Sequence, residues 1–229
     1  MNMNQKNKSL CALVLLAGFF VTPPLRAADD MTRLDARAGS KMRMEGTSTL
    51  HDWQVESPII TGYIEVGPNF PMAPGQAASP GKVQARGEAT IMVRSLRSIE
   101  SDGKYYSDAM DNKMWEMMKL PQNPKITYKL SELTLKEAPK TKEDPYQFDS
   151  KGELTVAGKT NPISMVIKVY PLGDVKGEPR FKISGTTPLK MTDYGMTPNS
   201  IIVSKTGDEV TIKFDWMLGK KAAATAAKP

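Results

Sequence analysis

Apolar and polar residues alternate one by one along much of the chain between residues 41 and 218. The stretch KVQARGEATIMV, residues 82–93, shows this clearly, with Val83, Ile91 and Val93 on one face and Arg86 and Glu88 on the other. Such alternation is typical of strands that are buried on one side. Eight segments show the pattern: 41–46, 60–66, 83–93, 126–130, 154–156, 163–169, 181–183 and 210–218. Eight strands are enough to close a small barrel or to form a sandwich, so the pattern predicts an all-β domain.

One segment, residues 107–119, follows a helical period instead. Its methionines recur at i, i+4, i+7 and i+8, which places them on a single helix face: Met110, Met114, Met117 and Met118. Ser107 is a suitable N-cap, and Pro121 prevents the helix from continuing. The pattern therefore predicts one short amphipathic helix over 108–119, with Asp111 and Lys113 pointing outward.

Three interpretations of the methionine face compete. It can be ordinary packing that closes one end of the β domain, since methionine stripes usually belong to a core. It can also form a deformable lid over an apolar ligand, because unbranched thioethers adapt to irregular molecules. The third interpretation is a Cu(I) site made of thioethers.

The first 27 residues are predicted to be a signal peptide. Lys6 and Lys8 precede an apolar run over 10–21, which is too short for a transmembrane helix. Cys11, the only cysteine, would leave with this leader, so neither a disulfide nor a cysteine thiolate is expected. Removing the leader's three cations from the formal net charge of +6 leaves +3, which is too low to indicate nucleic-acid binding.

The rest of the chain is predicted to hold one domain. Residues 28–40 form a loose N-terminal segment, 41–218 the β-barrel domain, and 219–229 a low-complexity, disordered tail. A Pro- and Gly-rich loop over 67–82 interrupts one hairpin. This loop is also a candidate docking site for a protein partner, which gives a third class of function.

The sequence does not indicate an enzyme. His51 is the only histidine, and Asp52 beside it would point to the opposite face of a strand. Ser48 lies nearby but has no nucleophile motif around it. One histidine without cysteine does not match the usual zinc, haem or blue-copper ligand sets, so we expect neither a cofactor nor a metal of these kinds.

Four segments together resemble the YceI-like family. They are GTSTLHDWQVESPIITGYIEV at 46–66, SDAMDNKMWEMMKLPQNPKITYKLSEL at 107–133, GELTVAGKTNPISMVIKV at 152–169 and PLKMTDYGM at 188–196. The resemblance implies an eight-stranded antiparallel lipocalin-like barrel whose interior holds an isoprenoid or another long-chain amphiphile. It also implies an exported, periplasmic protein. The chain departs from the family in its longer 67–82 loop and in Lys113, near which the family's helix often carries a histidine.

Small residues on the inward faces suggest that side chains do not fill the barrel: Gly62, Ala85, Gly87 and Ala89. We therefore predict a lipid-binding protein that carries or stores its ligand or serves a stress response, with periplasmic Cu(I) binding by the helix methionines as the alternative. Transient membrane contact and a homodimer are compatible with this prediction. The predicted ligand-binding residues are Met110, Met114, Trp115, Met118, Ile126, Tyr128, Leu154, Val156, Met165, Ile167, Phe181, Ile183, Ile212, Phe214 and Trp216.

Overall fold

A single antiparallel sheet that closes on itself forms the body of the protein. The computed structural model describes residues 30–175, 177–198, 200–201 and 204–220. The predicted signal peptide and most of the predicted tail lie outside these residues. Within them, no helix is long and apolar enough to cross a bilayer.

Thirteen strands, one α-helix and two 3₁₀ turns make up the described structure. The strands are β1 (Thr32–Ala36), β2 (Lys41–Ser48), β3 (Trp53–Ser57), β4 (Thr61–Val66), β5 (Gly81–Val83), β6 (Ala85–Met92), β7 (Arg97–Ile99), β8 (Lys125–Glu137), β9 (Tyr146–Val156), β10 (Lys159–Val175), β11 (Glu178–Lys190), β12 (Ser200–Ile201) and β13 (Ser204–Gly219). The helix is α1 (Asp108–Met117), and the 3₁₀ turns are Val93–Ser95 and Thr192–Tyr194.

The barrel is closed by the pairing of its first and last strands. Its order is β1-β4-β6-β8-β9-β10-β11-β13, and β13 returns to β1, where Ala36 lies opposite Leu218. Strand β2 continues the line of β1, and β3 continues the line of β4. Strand β7 pairs with β3 in the same way that β6 pairs with β4. This confirms the predicted all-β, eight-stranded antiparallel barrel with one short helix.

The sheet begins earlier than the alternation indicated. Strand β1 starts at Thr32, and its central residue Leu34 is fully buried opposite Ile64. The backbone N–H of Arg37 donates to the carbonyl of Met217 at 2.8 Å. This part of the segment predicted to be loose, 28–40, is therefore a barrel strand.

Aromatic side chains close one end of the barrel, which we call the inner end. The ring centroids of Phe148 and Phe181 each lie 5.8 Å from that of Phe70, and all three side chains are buried. Phe70 comes from the long loop between β4 and β5, and the hydroxyl of Tyr146 donates to the carbonyl of Gln76 in the same loop at 2.6 Å. The loop thus seals the inner end with side chains that it contributes to the core.

Candidate ligand-binding cavity

A cavity of about 530 Å³ lies between the aromatic inner end and helix α1. Leu154, Ile212 and Phe214 lie on its wall and are only partly buried. Because these side chains point into the barrel, part of their surface faces the cavity instead of another side chain. The barrel interior is therefore not filled by its own residues, as the small inward residues Gly87 and Ala89 suggested.

Helix α1 covers the other end of the barrel, which we call the mouth. Ser107 has an extended backbone, and its hydroxyl accepts a hydrogen bond from the Met110 backbone N–H at 3.4 Å. This confirms the predicted N-cap. The helix ends at Met117, two residues before the predicted end, and Lys119 follows with a φ of 57°. All four methionines of the predicted face line the cavity.

The prediction that Asp111 points outward is wrong. Its side chain is fully buried, and its Oδ1 accepts a hydrogen bond from the Ser98 backbone N–H at 2.6 Å. Its Oδ2 lies 2.9 Å from Nε of Arg97. The reason is that α1 has two contact faces: its methionines meet the cavity, while Asp111, at the helix edge, meets β7. A carboxylate thus fixes the lid to the barrel.

Thirteen of the fifteen predicted ligand-binding residues lie on the cavity wall. They are Met110, Met114, Met118, Ile126, Tyr128, Leu154, Val156, Met165, Ile167, Ile183, Ile212, Phe214 and Trp216. Their contact with a ligand stays a prediction. The structure brings them together from α1 and its C-cap Met118 and from five of the barrel strands.

The remaining two, Trp115 and Phe181, lie elsewhere. Phe181 is fully buried in the aromatic cluster of the inner end. On β11 it shares a face with Ile183 and is the next residue on that face towards the inner end. Trp115 lies on the edge of α1 that faces away from the cavity, with its ring 5.2 Å from the guanidinium of Arg94 and 5.8 Å from that of Arg97. Our candidate site therefore leaves out both residues.

The cavity wall contains further methionines that the prediction missed. Together with Met165 and the four methionines of the predicted helix face, they give nine thioethers around the cavity: Met42, Met44, Met110, Met114, Met117, Met118, Met165, Met191 and Met196. Met42 and Met44 alternate along β2, so the period-two pattern contained a signal for them. Met191 and Met196 flank the short turn that carries Tyr194, and no periodicity marks that turn.

Glycines hold aromatic rings against the barrel wall. Gly46 pairs directly with Trp53, and Gly185 with Phe214. A Cβ at Gly152 would lie 2.7 Å from ring carbons of Tyr128, so this ring lies across the glycine. Its hydroxyl reaches Oγ of Ser150 at 2.6 Å, and burial raises the pKa of Tyr128 above its usual value. The rings keep their places because no side chain stands beneath them.

Polar side chains gather at the mouth. Nδ1 of His51 lies 2.8 Å from the backbone carbonyl of Asp52, which can only accept, so we assign the proton to Nδ1. Nε2 then accepts from the hydroxyl of Tyr106 at 3.5 Å. The hydroxyl of Ser48 bonds to backbone groups of its own hairpin turn, including the carbonyl of His51 at 2.7 Å, and not to the imidazole. These three residues at the mouth do not form a catalytic triad.

Metal-ligand clusters of the usual kind are absent from the part of the chain that the structure describes. No three or more His, Cys, Asp or Glu side chains converge there. This observation does not bear on thioether ligands, which form a separate class.

Comparison with known proteins gives the same fold. No curated protein matches the sequence. BcnA of Burkholderia cenocepacia is similar in structure, with a TM-score of 0.56 and 17% identity over 80% of this chain and 99% of that one. A polyisoprenoid binding domain from Saccharophagus degradans has a TM-score of 0.55 and 11% identity over 83% and 99%. A mutant YceI protein of Campylobacter jejuni has a TM-score of 0.52 and 14% identity over 73% and 84%.

At these identities the solved structures show the fold alone. The YceI-like domain family, however, matches residues 37–218, which is most of the chain and nearly the whole barrel. The protein belongs to the YceI-like family.

Proposed function

We propose that the protein is an exported, periplasmic lipid-binding protein that holds an isoprenoid or another long-chain amphiphile in its barrel. The observation that carries this proposal is the cavity of about 530 Å³, whose wall is formed mostly by apolar side chains. That volume is within the ordinary range of small-molecule sites, and an apolar wall with few polar groups is typical of them. The polyisoprenoid-binding domain with the same fold supports the ligand class.

The hydrophobic effect is sufficient to hold such a ligand. An alkyl or prenyl tail that buries on the order of 400 Å² of apolar surface gains about 10 kcal/mol at ~25 cal/mol per Å², before the costs of association. The inner end is sealed by Phe70, Phe148 and Phe181, so the ligand enters and leaves at the mouth beneath α1. Leu50 and Tyr106 at the mouth are 67% and 47% exposed, which would permit transient contact with a membrane surface during transfer.

The chemistry of the wall supports binding without catalysis. The cavity-lining hydroxyls of Ser48 and Tyr106 and the ring of His51 are engaged with one another or with nearby backbone. None of them is arranged as a nucleophile with its base. We therefore expect bound lipid to leave chemically unchanged, whether the protein carries it, stores it or serves a stress response.

The test is native mass spectrometry of protein recovered after export, followed by organic extraction. We expect an excess mass that extraction removes and that fragmentation identifies as a long-chain lipid. A bare polypeptide mass, with no uptake when a lipid extract is added back, would contradict the proposal. The same spectrum reports the mature N-terminus and the oligomeric state, so it also tests the predicted cleavage near residue 27 and the homodimer.

Cu(I) binding stays the second candidate, because Met110, Met114, Met117 and Met118 share one cavity with the only histidine, His51. Titration of lipid-free protein with Cu(I) against a competing chelator distinguishes the two functions. A lipid carrier should show no tight site. A tight site that is lost in a variant with all four methionines changed to leucine would favour copper.

A further inference from the structure

A hydroxyl pair lies near the inner end of the cavity, away from the polar side chains at the mouth. The phenol oxygen of Tyr128 and Oγ of Ser150 are 2.6 Å apart, and both residues belong to the cavity wall. Ser150 is only 2% exposed. The next inward-facing residue of β9 is Phe148, which is part of the aromatic inner end. The pair is therefore next to the closed end of the barrel, separated from it by no other inward-facing residue of β9.

This pair retains hydrogen-bonding capacity. Two hydroxyls carry two hydrogens, and the bond between them uses one, which leaves one hydrogen and several lone pairs. The described residues supply no other hydrogen bond to either oxygen. Trp216, on β13 beside the fully buried Leu218, also has an indole N–H without an acceptor among the described residues. Its nitrogen is covered by neighbouring atoms, so we do not count it as part of the subsite.

Among the described residues of the wall, charged groups do not extend to this depth. Lys113 belongs to α1 and Lys190 is the last residue of β11, so both lie at the mouth. Glu88 lies between the inward-facing Gly87 and Ala89, so strand alternation places its carboxylate on the outer face. An ionised group near the hydroxyl pair would therefore be buried without an opposite charge, which is strongly unfavourable.

We propose that Tyr128 and Ser150 form a subsite that hydrogen-bonds an uncharged oxygen, of a hydroxyl or a carbonyl, at one end of the bound amphiphile. This rests on the proposed function and adds to it the orientation and the chemical class of the ligand. The oxygen-bearing end enters first and lies at the inner end, and the hydrocarbon chain extends past the methionines toward the mouth. A ligand with an ionised headgroup keeps that headgroup outside.

The subsite can be tested with phytol and phytane, which have the same branched C20 skeleton with and without a hydroxyl. Their affinities are measured by displacement of a fluorescent lipid from wild type and from the double variant Tyr128→Phe/Ser150→Ala. The double variant should lower the ratio of phytol to phytane affinity about five- to tenfold, the size expected for one neutral hydrogen bond. Phytane affinity should change little, because the aromatic ring over Gly152 is retained. Ser150→Ala alone is a milder change and should shift the ratio in the same direction.

Tyr106→Phe is the matched control, because it removes a tyrosine hydroxyl at the mouth instead of the inner end. It should leave the ratio unchanged. The proposal is overturned if the double variant keeps the wild-type ratio, or if Tyr106→Phe lowers it as much. It is equally overturned if geranylgeranyl diphosphate loses affinity in the double variant as phytol does, because an ionised headgroup would then occupy the inner end.

Failure of the proposed function gives a different result. In that case wild type binds neither phytol nor phytane, and organic extraction releases no lipid from exported protein. Binding of both probes with an unaltered ratio in the double variant would overturn the subsite alone and leave the lipid-binding function standing.

Discussion

Replacing Asp111 should release helix α1 from the barrel. Its carboxylate is fully buried and accepts a 2.6 Å hydrogen bond from the Ser98 backbone N–H. Asp111→Ala removes a charged acceptor from a buried donor, which costs about 1.5–3 kcal/mol. The pair with Arg97 adds only about 0.5–1 kcal/mol, because the Arg97 side chain is 44% exposed and solvent screens it. We therefore expect a loss of about 3 kcal/mol.

Urea unfolding and thermal melting measure this loss. For a chain of this size, ~3 kcal/mol corresponds to a decrease in Tm of about 6–12 °C. Asp111→Asn keeps an acceptor for Ser98 but removes the charge, so its cost should be roughly half. If the helix opens locally before the barrel unfolds, hydrogen exchange will show it, with α1 amides losing protection while barrel amides keep theirs.

Asp108 provides the matched control on the same helix. It lies 3.3 Å from the same Arg97, but its side chain is 81% exposed. Asp108→Ala should stay within about 0.5 kcal/mol of wild type, as exposed ion pairs usually do. The reasoning is refuted if Asp111→Ala is as stable as wild type, or if Asp108→Ala costs as much as Asp111→Ala.

Three further outcomes are expected from equilibrium unfolding. Phe70→Ala should cost about 3–5 kcal/mol, because it opens a void in the aromatic inner end; a cost below 1 kcal/mol would mean that the 67–82 loop is free for a partner. Gly152→Ala should cost about 1–3 kcal/mol, because its Cβ would meet the backbone carbonyl oxygen of Lys129 and, at 2.7 Å, the Tyr128 ring. Gly152→Ala/Tyr128→Leu removes the ring contact but keeps the carbonyl contact, so we expect partial recovery of stability; no recovery would contradict a role of the ring. Since burial raises the pKa of Tyr128, the unfolded chain ionises first, so stability falls as pH rises above about 10. Tyr128→Phe should weaken that fall, and an identical pH profile would contradict it.

The barrel could be predicted from the sequence because most inward positions are apolar. Strand β9 shows the limit of that signal, since only 154–156 were recognised although the strand begins at Tyr146. By strand alternation its inward positions include Ser150 and Gly152, and a serine and a glycine taken alone indicate a polar, flexible segment. A glycine fits the inward position 152 because the Tyr128 ring lies across it. A serine fits the inward position 150 because its hydroxyl bonds to the hydroxyl of that ring. Both reasons lie on a neighbouring strand, so a pattern within one strand could not reveal them.

The helix shows a different limit. Periodicity correctly grouped the four methionines and the N-cap, since these depend on spacing along one element. It could not show that the helix has a second contact face. An aspartate is normally expected in solvent, and it is buried only where the fold supplies a partner. That partner is a backbone N–H, which carries no sequence signature.

The two kinds of wall around the cavity have different mechanical properties. Aromatic rings that lie over glycines, such as Tyr128 over Gly152 and Phe214 over Gly185, are held in place by the backbone beneath them. The methionines of α1 and of the turn around Tyr194 are unbranched and have three rotatable bonds, so that side of the cavity can adapt to its contents. A fixed wall with one hydroxyl pair can select the end of a ligand, while a deformable wall accepts variation in its chain. In the proposed lipid site, the methionine-rich helix is then the adaptable part, and the selective part is on the strands.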